Sequence, residues 1–109
     1  MGGQVQQITR AEFRILRFAK KCKSFTAGDL MREMSNTPRW FERLERLEQL
    51  GLLDYTKEKR RHARRHIRVF SLNERGRAGL ASAEAYVKEH KIQIEEGRNP
   101  LPILLPEPA

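Results

Sequence analysis

The stretch from Thr26 to Gly51 reads TAGDLMREMSNTPRWFERLERLEQLG, and it determines which fold the sequence predicts. Thr26 stands three residues before Asp29, and this capping-box spacing predicts a helix over about residues 27–34. The polar residues 35 and 36 then interrupt the apolar pattern. The first helix of the stretch therefore ends in a tight turn.

A second helix follows this turn. Thr37 is its predicted N-cap, and Pro38 occupies the first helical position, where the missing N–H has no helical partner to lose. The helix continues to about Leu50 and stops at Gly51, a residue that readily adopts the left-handed conformation of a C-cap. Two short helices joined by a tight turn are typical of a helix-turn-helix.

Two β-type segments come next along the chain. Leu53 and Tyr55 alternate with polar residues, and residues 66–72 are rich in β-branched and aromatic side chains. Such runs on either side of a charged connection predict a β-hairpin with a long tip. The connection, residues 57–68, reads KEKRRHARRHIR and carries seven Lys and Arg residues against one Glu. A cluster of charge this dense repels itself and indicates a polyanionic partner.

The outer segments complete the predicted organisation. Thr9 and Glu12 form another capping-box pair and predict a helix over about residues 11–23. Asn73 caps a last helix that we expect over about residues 74–95. The first eight residues are expected to form a flexible arm. The tail from position 97 holds four of the five prolines and cannot be helical.

Composition narrows the class of protein. A chain of 109 residues with 39% hydrophobic residues and a net charge of +8 has the size and content of one small folded domain. The single cysteine, Cys22, excludes an internal disulfide and fits a reducing cytoplasm. No apolar run approaches the ~20 residues of a membrane span, and no signal peptide is evident. We therefore expect a cytoplasmic protein with no membrane partner.

Three segments resemble the winged helix-turn-helix transcription regulators of the MarR, PadR and ArsR type. Residues 26–34 are similar to the first helix of their motif, and residues 44–53, LERLEQLGLL, to the end of their recognition helix. Residues 70–77, FSLNERGR, resemble the aromatic-x-Leu-Thr-x-x-Gly junction between wing and final helix. Asn73 stands where these families usually have Thr, which exchanges one capping residue for another. The resemblance covers about residues 9–92.

The element order and the resemblance together predict a mainly α fold with a small β-hairpin (α+β). The architecture is a winged helix-turn-helix with an extended C-terminal helix. The predicted organisation is a flexible N-terminal arm (1–8), a winged helix-turn-helix DNA-binding domain (9–73), a C-terminal dimerisation helix (74–96) and a Pro-rich tail (97–109).

The second helix of the motif has two different faces. At 100° per residue its apolar residues cluster on one side and several arginines lie on the other. We expect the polar side to enter the major groove, where arginine binds guanine or phosphate and glutamate accepts a hydrogen bond from cytosine. The predicted contacts are Asn36, Thr37, Arg39, Glu42, Arg43 and Arg46. The alternative is a solvated helix with Glu42–Arg46 and Glu45–Arg39 pairs.

The tip of the hairpin, the wing, supplies the second predicted DNA contact. Its cations can follow the phosphate backbone or enter a narrow minor groove, and they contribute affinity more than sequence choice. The predicted wing residues are Lys57, Lys59, Arg60, Arg61, Arg64, Arg65 and Arg68. With four to six of these charges on phosphates, the log–log salt slope from the wing is about −4 to −5.

The last helix has two apolar sides, which predicts a homodimer. Ala78, Ala81 and Ala85 allow a close approach to its own domain, and the other side has coiled-coil spacing. The predicted seam contains Phe13, Leu16, Leu80, Ala83, Tyr86, Val87, His90 and Ile94. The resemblance also implies a homodimer, because MarR- and PadR-like regulators dimerise through terminal helices and bind pseudo-palindromic operators. The alternative is packing within the chain under residues 101–105 of the tail.

Enzymatic chemistry has no support in the sequence. It contains no Gly-rich phosphate loop, no Cys-x-x-Cys pair and no nucleophile elbow, so we expect neither an enzyme nor a cofactor. His62 and His66 lie among the wing arginines, where a dication is repelled, and no metal site is expected. Cys22 and the aromatic residues Phe13, Phe18, Phe25, Trp40, Phe41, Tyr55 and Phe70 are expected in the core.

These features predict a sequence-specific regulator of transcription that binds double-stranded DNA, a dimeric repressor associated with the nucleoid. One alternative is an architectural protein that coats DNA without sequence choice. Another is a winged-helix protein that binds RNA, the ribosome or a protein. Glu42 favours the regulator, because a coating face needs no carboxylate, whereas the density of wing arginines favours the architectural protein. The sequence identifies no small-molecule effector.

Overall fold

The computed structural model describes residues 4–34, 39–59, 66–94 and 99–106. Within these ranges the chain forms four helices and five strands in an α+β arrangement, as the sequence predicts at that level. In chain order they are β1 (Gln4–Ile8), α1 (Arg10–Lys21), β2 (Phe25–Thr26), α2 (Ala27–Glu33), α3 (Trp40–Gln49), β3 (Leu53–Glu58), β4 (Ile67–Leu72), α4 (Glu74–His90) and β5 (Leu101–Leu105).

The predicted helix starts are confirmed at three helices. The Thr9 hydroxyl accepts a hydrogen bond from the Glu12 N–H, and the Glu12 carboxylate accepts one from the Thr9 N–H. Thr26 and Asp29 form the same reciprocal pair at α2. At α4 the Asn73 side chain accepts from the N–H of Gly76, at 2.7 Å. Each of these short-range side-chain bonds satisfies N–H groups that the first helical turn leaves without a partner.

Helix α3 differs at its start. It begins at Trp40, and its N-cap Arg39 has a left-handed backbone (φ 55°) and no capping side-chain bond. The predicted cap Thr37 and the proline after it lie outside the described residues. At the other end, Gly51 adopts the predicted positive φ, 78°, which glycine tolerates without strain.

The predicted hairpin is present as β3 and β4, which pair antiparallel. The short strand β2, which the sequence did not indicate, joins them to form a three-stranded sheet in the order β2-β4-β3. Phe70 in the central strand stacks on Phe25 of β2 and lies against Tyr55 of β3, with ring centroids 5.7 and 5.9 Å apart. Residues 60–65, the tip of the predicted wing, lie outside the described residues.

The N-terminal arm is a strand rather than a flexible segment. Strand β1 pairs antiparallel with β5 of the Pro-rich tail, from Gln4 opposite Leu105 to Ile8 opposite Leu101. Ile8, Leu101 and Leu105 are buried. The prediction of a flexible arm over residues 1–8 is therefore wrong for residues 4–8, while residues 1–3 lie outside the described residues.

The β1–β5 sheet covers α4, which corrects the predicted dimer seam. The Leu104 N–H donates to the Ser82 hydroxyl of α4 at 2.9 Å. Five residues of the predicted seam belong to the core of the single chain and are nearly or wholly inaccessible: Phe13, Leu16, Leu80, Ala83 and Ile94. Side chains buried in their own chain offer no surface to a partner, so the proposed seam is wrong for these five. Packing within the chain beneath residues 101–105, the alternative, is what the structure has.

Several finer predictions also need correction. Helix α1 ends at Lys21 and α4 at His90, earlier than the predicted residues 23 and 95, and Lys91 ends α4 with a left-handed backbone. Two aromatic residues expected in the core are exposed: Phe41 (48%) and Tyr55 (37%). Cys22 is only partly buried at the end of α1. Phe41 lies at the edge of the apolar stripe of α3, where periodicity alone does not decide exposure.

Candidate nucleic-acid interface

Helix α3 is attached to the core through Leu44 and Leu47, both buried. Trp40 packs partly against the same core. Arg39 and Glu42, at the N-terminal end of the helix, are exposed as predicted for base-contacting residues. Of the other predicted contacts at this end, Asn36 and Thr37 lie outside the described residues.

The two remaining arginines of α3 are partly exposed, and both are bonded to other elements of the chain. Arg46 donates to the Glu12 carboxylate of α1 and to the backbone carbonyl of Gln7 in β1, both at 2.7 Å. Arg43 donates to the Thr9 hydroxyl at 2.9 Å. These guanidinium groups therefore hold α3 against the start of α1. A helical wheel of α3 alone contains no signal for this, because the acceptors belong to another part of the sequence.

The outward face of α3 is acidic and aromatic. Around the helix, the positions opposite the buried leucines belong to Glu42, Glu45, Arg46 and Gln49, and Phe41 lies at the side of this face. The expected Glu42–Arg46 and Glu45–Arg39 pairs are not among the ion pairs between described residues, which are Arg32–Asp29 and Arg46–Glu12. Two described cations remain near this face: Arg39, which is exposed and precedes the helix, and Arg46, which is partly exposed.

The base of the wing is basic in the described part of the hairpin. Lys57 of β3 lies opposite Arg68 of β4, and both are exposed, as is Lys59. The Arg68 guanidinium lies 5.1 Å from the centre of the Tyr55 ring, a cation–π distance. The other predicted wing residues, Arg60, Arg61, Arg64 and Arg65, lie outside the described residues together with His62.

A groove joins the wing base to the start of both helices of the motif. It has a volume of about 690 Å³ and is lined by Thr26, Gly28, Phe41, His66, Arg68 and Phe70, among others. Phe41 is one of the two exposed aromatic residues that the sequence predicts to be buried in the core. Its position beside the apolar stripe of α3 was the available signal. An exposed aromatic ring in the same groove as a guanidinium offers a surface on which a base can stack and a cation with which a phosphate can pair.

The carboxyl group of Asp29 belongs to the capping box at the start of α2. The backbone N–H of Thr26 donates to the Asp29 carboxylate, which holds the pKa of Asp29 below its usual value. Arg32, at 2.5 Å, acts in the same direction.

Among the described residues, no three His, Cys, Asp or Glu side chains cluster as metal ligands. In the same residues, no helix has the length and apolar character needed to cross a membrane.

Comparison with models of protein families and with curated proteins finds no match to this chain.

Proposed function

We propose that this chain is a winged helix-turn-helix protein that binds duplex DNA and regulates transcription by occupying promoter sites. Its order of elements supports the proposal: helix, short strand, two helices, then a hairpin, with the short strand paired to the second hairpin strand. In such a fold the hairpin forms the wing and the second helix of the motif is the recognition helix.

The observation that carries the proposal is the position of the charge. Residues 57–68, with seven Lys and Arg, include the end of β3, the connection between the strands and the start of β4. The described ends of this segment, Lys57, Lys59 and Arg68, are exposed, and Arg68 lines the same groove as Phe41 of α3. A polyanion bound along the wing would therefore also contact the N-terminal end of α3.

The proposed division of labour follows from the contacts of each side chain. The wing supplies a salt-dependent grip on phosphates. Arg39, Phe41 and Glu42, exposed at the start of α3, contact base edges: arginine binds guanine, the ring contacts a thymine methyl group, and the carboxylate accepts from cytosine. Arg43 and Arg46 serve instead to position α3 through Thr9 and Glu12.

The intramolecular bonds of two α3 arginines favour a second candidate, an architectural DNA-binding protein without sequence choice. Arg43 and Arg46 are bonded to Thr9, Glu12 and the Gln7 carbonyl, which leaves Arg39 as the arginine of this helix that is free of such bonds to described residues. Binding through the wing alone would then dominate, and it would be nearly independent of sequence. In this second candidate the wing would follow the DNA phosphate backbone, and α3 would stay outside the major groove of the DNA.

One experiment separates these candidates and tests both. Duplexes selected from a random library by the purified protein are compared with unselected duplexes at one salt concentration. A regulator enriches a motif and binds it about 10³-fold or more tightly than random DNA. An architectural protein enriches no motif and binds both pools equally. Structured RNA that competes as well as duplex DNA would contradict both and favour an RNA-binding function.

A homodimer belongs to the same proposal, with a different contact surface from the predicted seam. Of that seam, Tyr86, Val87 and His90 retain exposure, with the Tyr86 and His90 ring centroids 4.1 Å apart. Val5 and Leu104, paired on the outer face of the β1–β5 sheet, are exposed apolar neighbours. Sedimentation of the protein at tens of micromolar measures whether two copies associate. A dimer should also select a DNA motif with two-fold symmetry from the random library.

A further inference from the structure

Helix α1 and the residues just after it carry a second concentration of positive charge. Residues 10–23 hold six Lys and Arg against one acid, Glu12, a net charge of +5. The Glu12 carboxylate is buried and paired with Arg46 of α3, so the exposed cations of α1 have no acid beside them within their own segment. This charge is close to the +6 of residues 57–68 in the wing.

Four of these cations occupy one stripe of the helix. Positions 10, 14, 17 and 21 repeat at intervals of three and four residues, which places them on the same side of α1. Arg10 donates to two backbone carbonyls of its own chain. Arg14, Arg17 and Lys21 are exposed, and none of the three forms an ion pair with a described acid. The Arg17 guanidinium lies 5.6 Å from the centre of the Phe13 ring, a cation–π distance.

The three exposed cations border a groove between α1 and the end of α2, here called the α1 groove. Its volume is about 330 Å³, and it is lined by Arg14, Arg17, Phe18, Lys21, Glu33 and Met34. Of these described lining residues, Glu33 alone is acidic. The distance along the helix axis from position 14 to position 21 is about 10 Å, at 1.5 Å per residue. One strand of DNA has a phosphate about every 3.4 Å of its axis, so the stripe can meet about three phosphates.

The α1 groove is separate from the groove beside the wing. The two have no described lining residue in common, and the start of α2 lines the wing groove whereas its end lines the α1 groove. The buried Phe25 lies between them: its ring centre is 5.4 Å from that of Phe18 in the α1 groove and 5.7 Å from that of Phe70 in the wing groove. A duplex that follows the wing and receives the start of α3 therefore leaves the α1 cations available to another anionic strand.

We propose that the α1 groove binds a second segment of duplex DNA, so that one protein chain joins two DNA segments. Arg14, Arg17 and Lys21 pair with phosphates of one strand, and these backbone contacts carry no sequence preference. A chain already held on DNA meets neighbouring segments of the same molecule at a high effective concentration, which favours DNA over other polyanions. The first segment rests on the proposed function. The charge of the α1 groove does not depend on it.

Titration of the ¹⁵N-labelled full chain with a short duplex, followed through amide chemical shifts, separates the two surfaces. The first equivalent is expected to shift the amides of β3, β4 and the start of α3, and further duplex to shift those of residues 14–21. Three phosphate contacts predict a slope of about −2.7 for log K against log salt in this second step. A fourfold rise in salt should then weaken the second step about 40-fold.

A capture assay measures whether the protein joins two duplexes. One duplex is immobilised, the protein is added, and the retention of a second, fluorescent duplex is measured. The triple variant Arg14→Gln, Arg17→Gln and Lys21→Gln is expected to bind the immobilised duplex as the parent does and to retain the second duplex about 10-fold less or weaker.

A matched control removes the same charge from exposed residues of α4 and its C-cap. This triple variant, Arg77→Gln, Lys88→Gln and Lys91→Gln, is expected to retain the second duplex as the parent does. Glutamine keeps a long polar side chain and is a good helix former, so both variants should fold. Dispersed amide spectra of each variant establish this.

Three results would overturn the proposal. If the α1 variant retains the second duplex as the parent does, two wings of a dimer join the duplexes instead. If excess duplex shifts the amides of the hairpin but not those of residues 14–21, the proposed function stands and the α1 groove binds no DNA. If polyglutamate shifts the amides of residues 14–21 at a lower concentration of charge than the duplex does, the partner is an acidic protein.

Failure of the proposed function gives a different pattern. Duplex DNA that shifts the amides of residues 14–21, without shifts in β3, β4 or the start of α3, contradicts the proposed role of the wing. The α1 groove then remains the DNA-binding surface of the chain. The absence of any shift contradicts both proposals.

Discussion

Arg46 of α3 forms an ion pair with the buried carboxylate of Glu12 in α1, at 2.7 Å. The same carboxylate accepts the Thr9 N–H and so completes the capping box of α1. One side chain therefore begins α1 and fixes the helix that we propose as the recognition helix. The Arg46 side chain remains 42% exposed, whereas that of Glu12 is 1% exposed, so the burial penalty falls on the acid.

Removal of Arg46 is expected to destabilise the chain by leaving Glu12 with fewer hydrogen bonds. For Arg46→Ala the free energy of unfolding should fall by about 1–3 kcal/mol, the usual cost of a buried acceptor that loses a charged donor. Urea denaturation measures the change. The control is Arg77→Ala, an exposed arginine expected to change stability by less than about 0.5 kcal/mol. Equal stabilities of the two variants would contradict the structural role of the pair.

The strand at the N-terminus is tested by two neighbouring apolar residues. Ile8 is fully buried between β5 and the core, so Ile8→Ala should cost about 2–5 kcal/mol of unfolding free energy. Val5 lies in the same strand but is 65% exposed, and Val5→Ala should change the stability by less than about 0.5 kcal/mol. If residues 4–8 were a flexible arm, both variants would have the same free energy of unfolding as the parent chain.

Local chemistry explains which parts of the fold the sequence predicts. The caps of α1, α2 and α4 depend on side chains three residues apart, such as Thr9 and Glu12, and these bonds form whatever the rest of the chain does. The hairpin of β3 and β4 is also local. The β1–β5 pair joins opposite ends of the chain, from Gln4 to Leu105, and neither strand has a strict alternation that would indicate its partner.

The difference between contacts close in sequence and contacts distant in sequence also explains the candidate site. Exposure of Arg39 and Glu42 follows from the helical periodicity of α3. The bonds of Arg46 do not, because their acceptors, Glu12 and the Gln7 carbonyl, are distant in sequence. The periodicity of a single helix shows which of its faces is polar. Whether that face is free to bind a partner also depends on acceptors from other elements, such as Glu12 beside α3.

Gly76 marks the closest packing between α4 and the loop before β3. A Cβ atom there would lie 2.2 Å from the Leu52 carbonyl oxygen and 2.5 Å from Leu72. Because the first contact is with backbone, Gly76→Ala should destabilise the chain at the upper end of the about 1–3 kcal/mol seen for overpacking. The matched control is Gly28→Ala in α2, where the nearest atom is at 3.7 Å. Alanine favours the helix there, so thermal unfolding should occur at a higher temperature.

The wing is tested through the salt dependence of DNA binding. Each phosphate contact contributes about −0.9 to the slope of log K against log salt. The triple variant Lys57→Ala, Lys59→Ala and Arg68→Ala should therefore reduce the magnitude of that slope by about 2–3. A second triple variant removes the same charge from exposed residues at the end of α1 and just beyond it: Lys20→Ala, Lys21→Ala and Lys23→Ala. An equal or larger loss of slope in this control would locate the DNA on α1 instead of the wing.

The Thr26–Asp29 capping box makes stability depend on pH in a defined direction. The Thr26 N–H and Arg32 hold the pKa of Asp29 in the folded chain below its unfolded value of about 3.9. A carboxyl group with a lowered folded pKa binds more protons when unfolded, so its contribution is complete above the unfolded pKa. It is lost as the pH falls through the folded pKa. The parent chain should exceed Asp29→Asn in stability at neutral pH, and urea denaturation in steps below about pH 4 should bring the two together. A stability difference that stays constant with pH would mean that the charge of Asp29 contributes nothing.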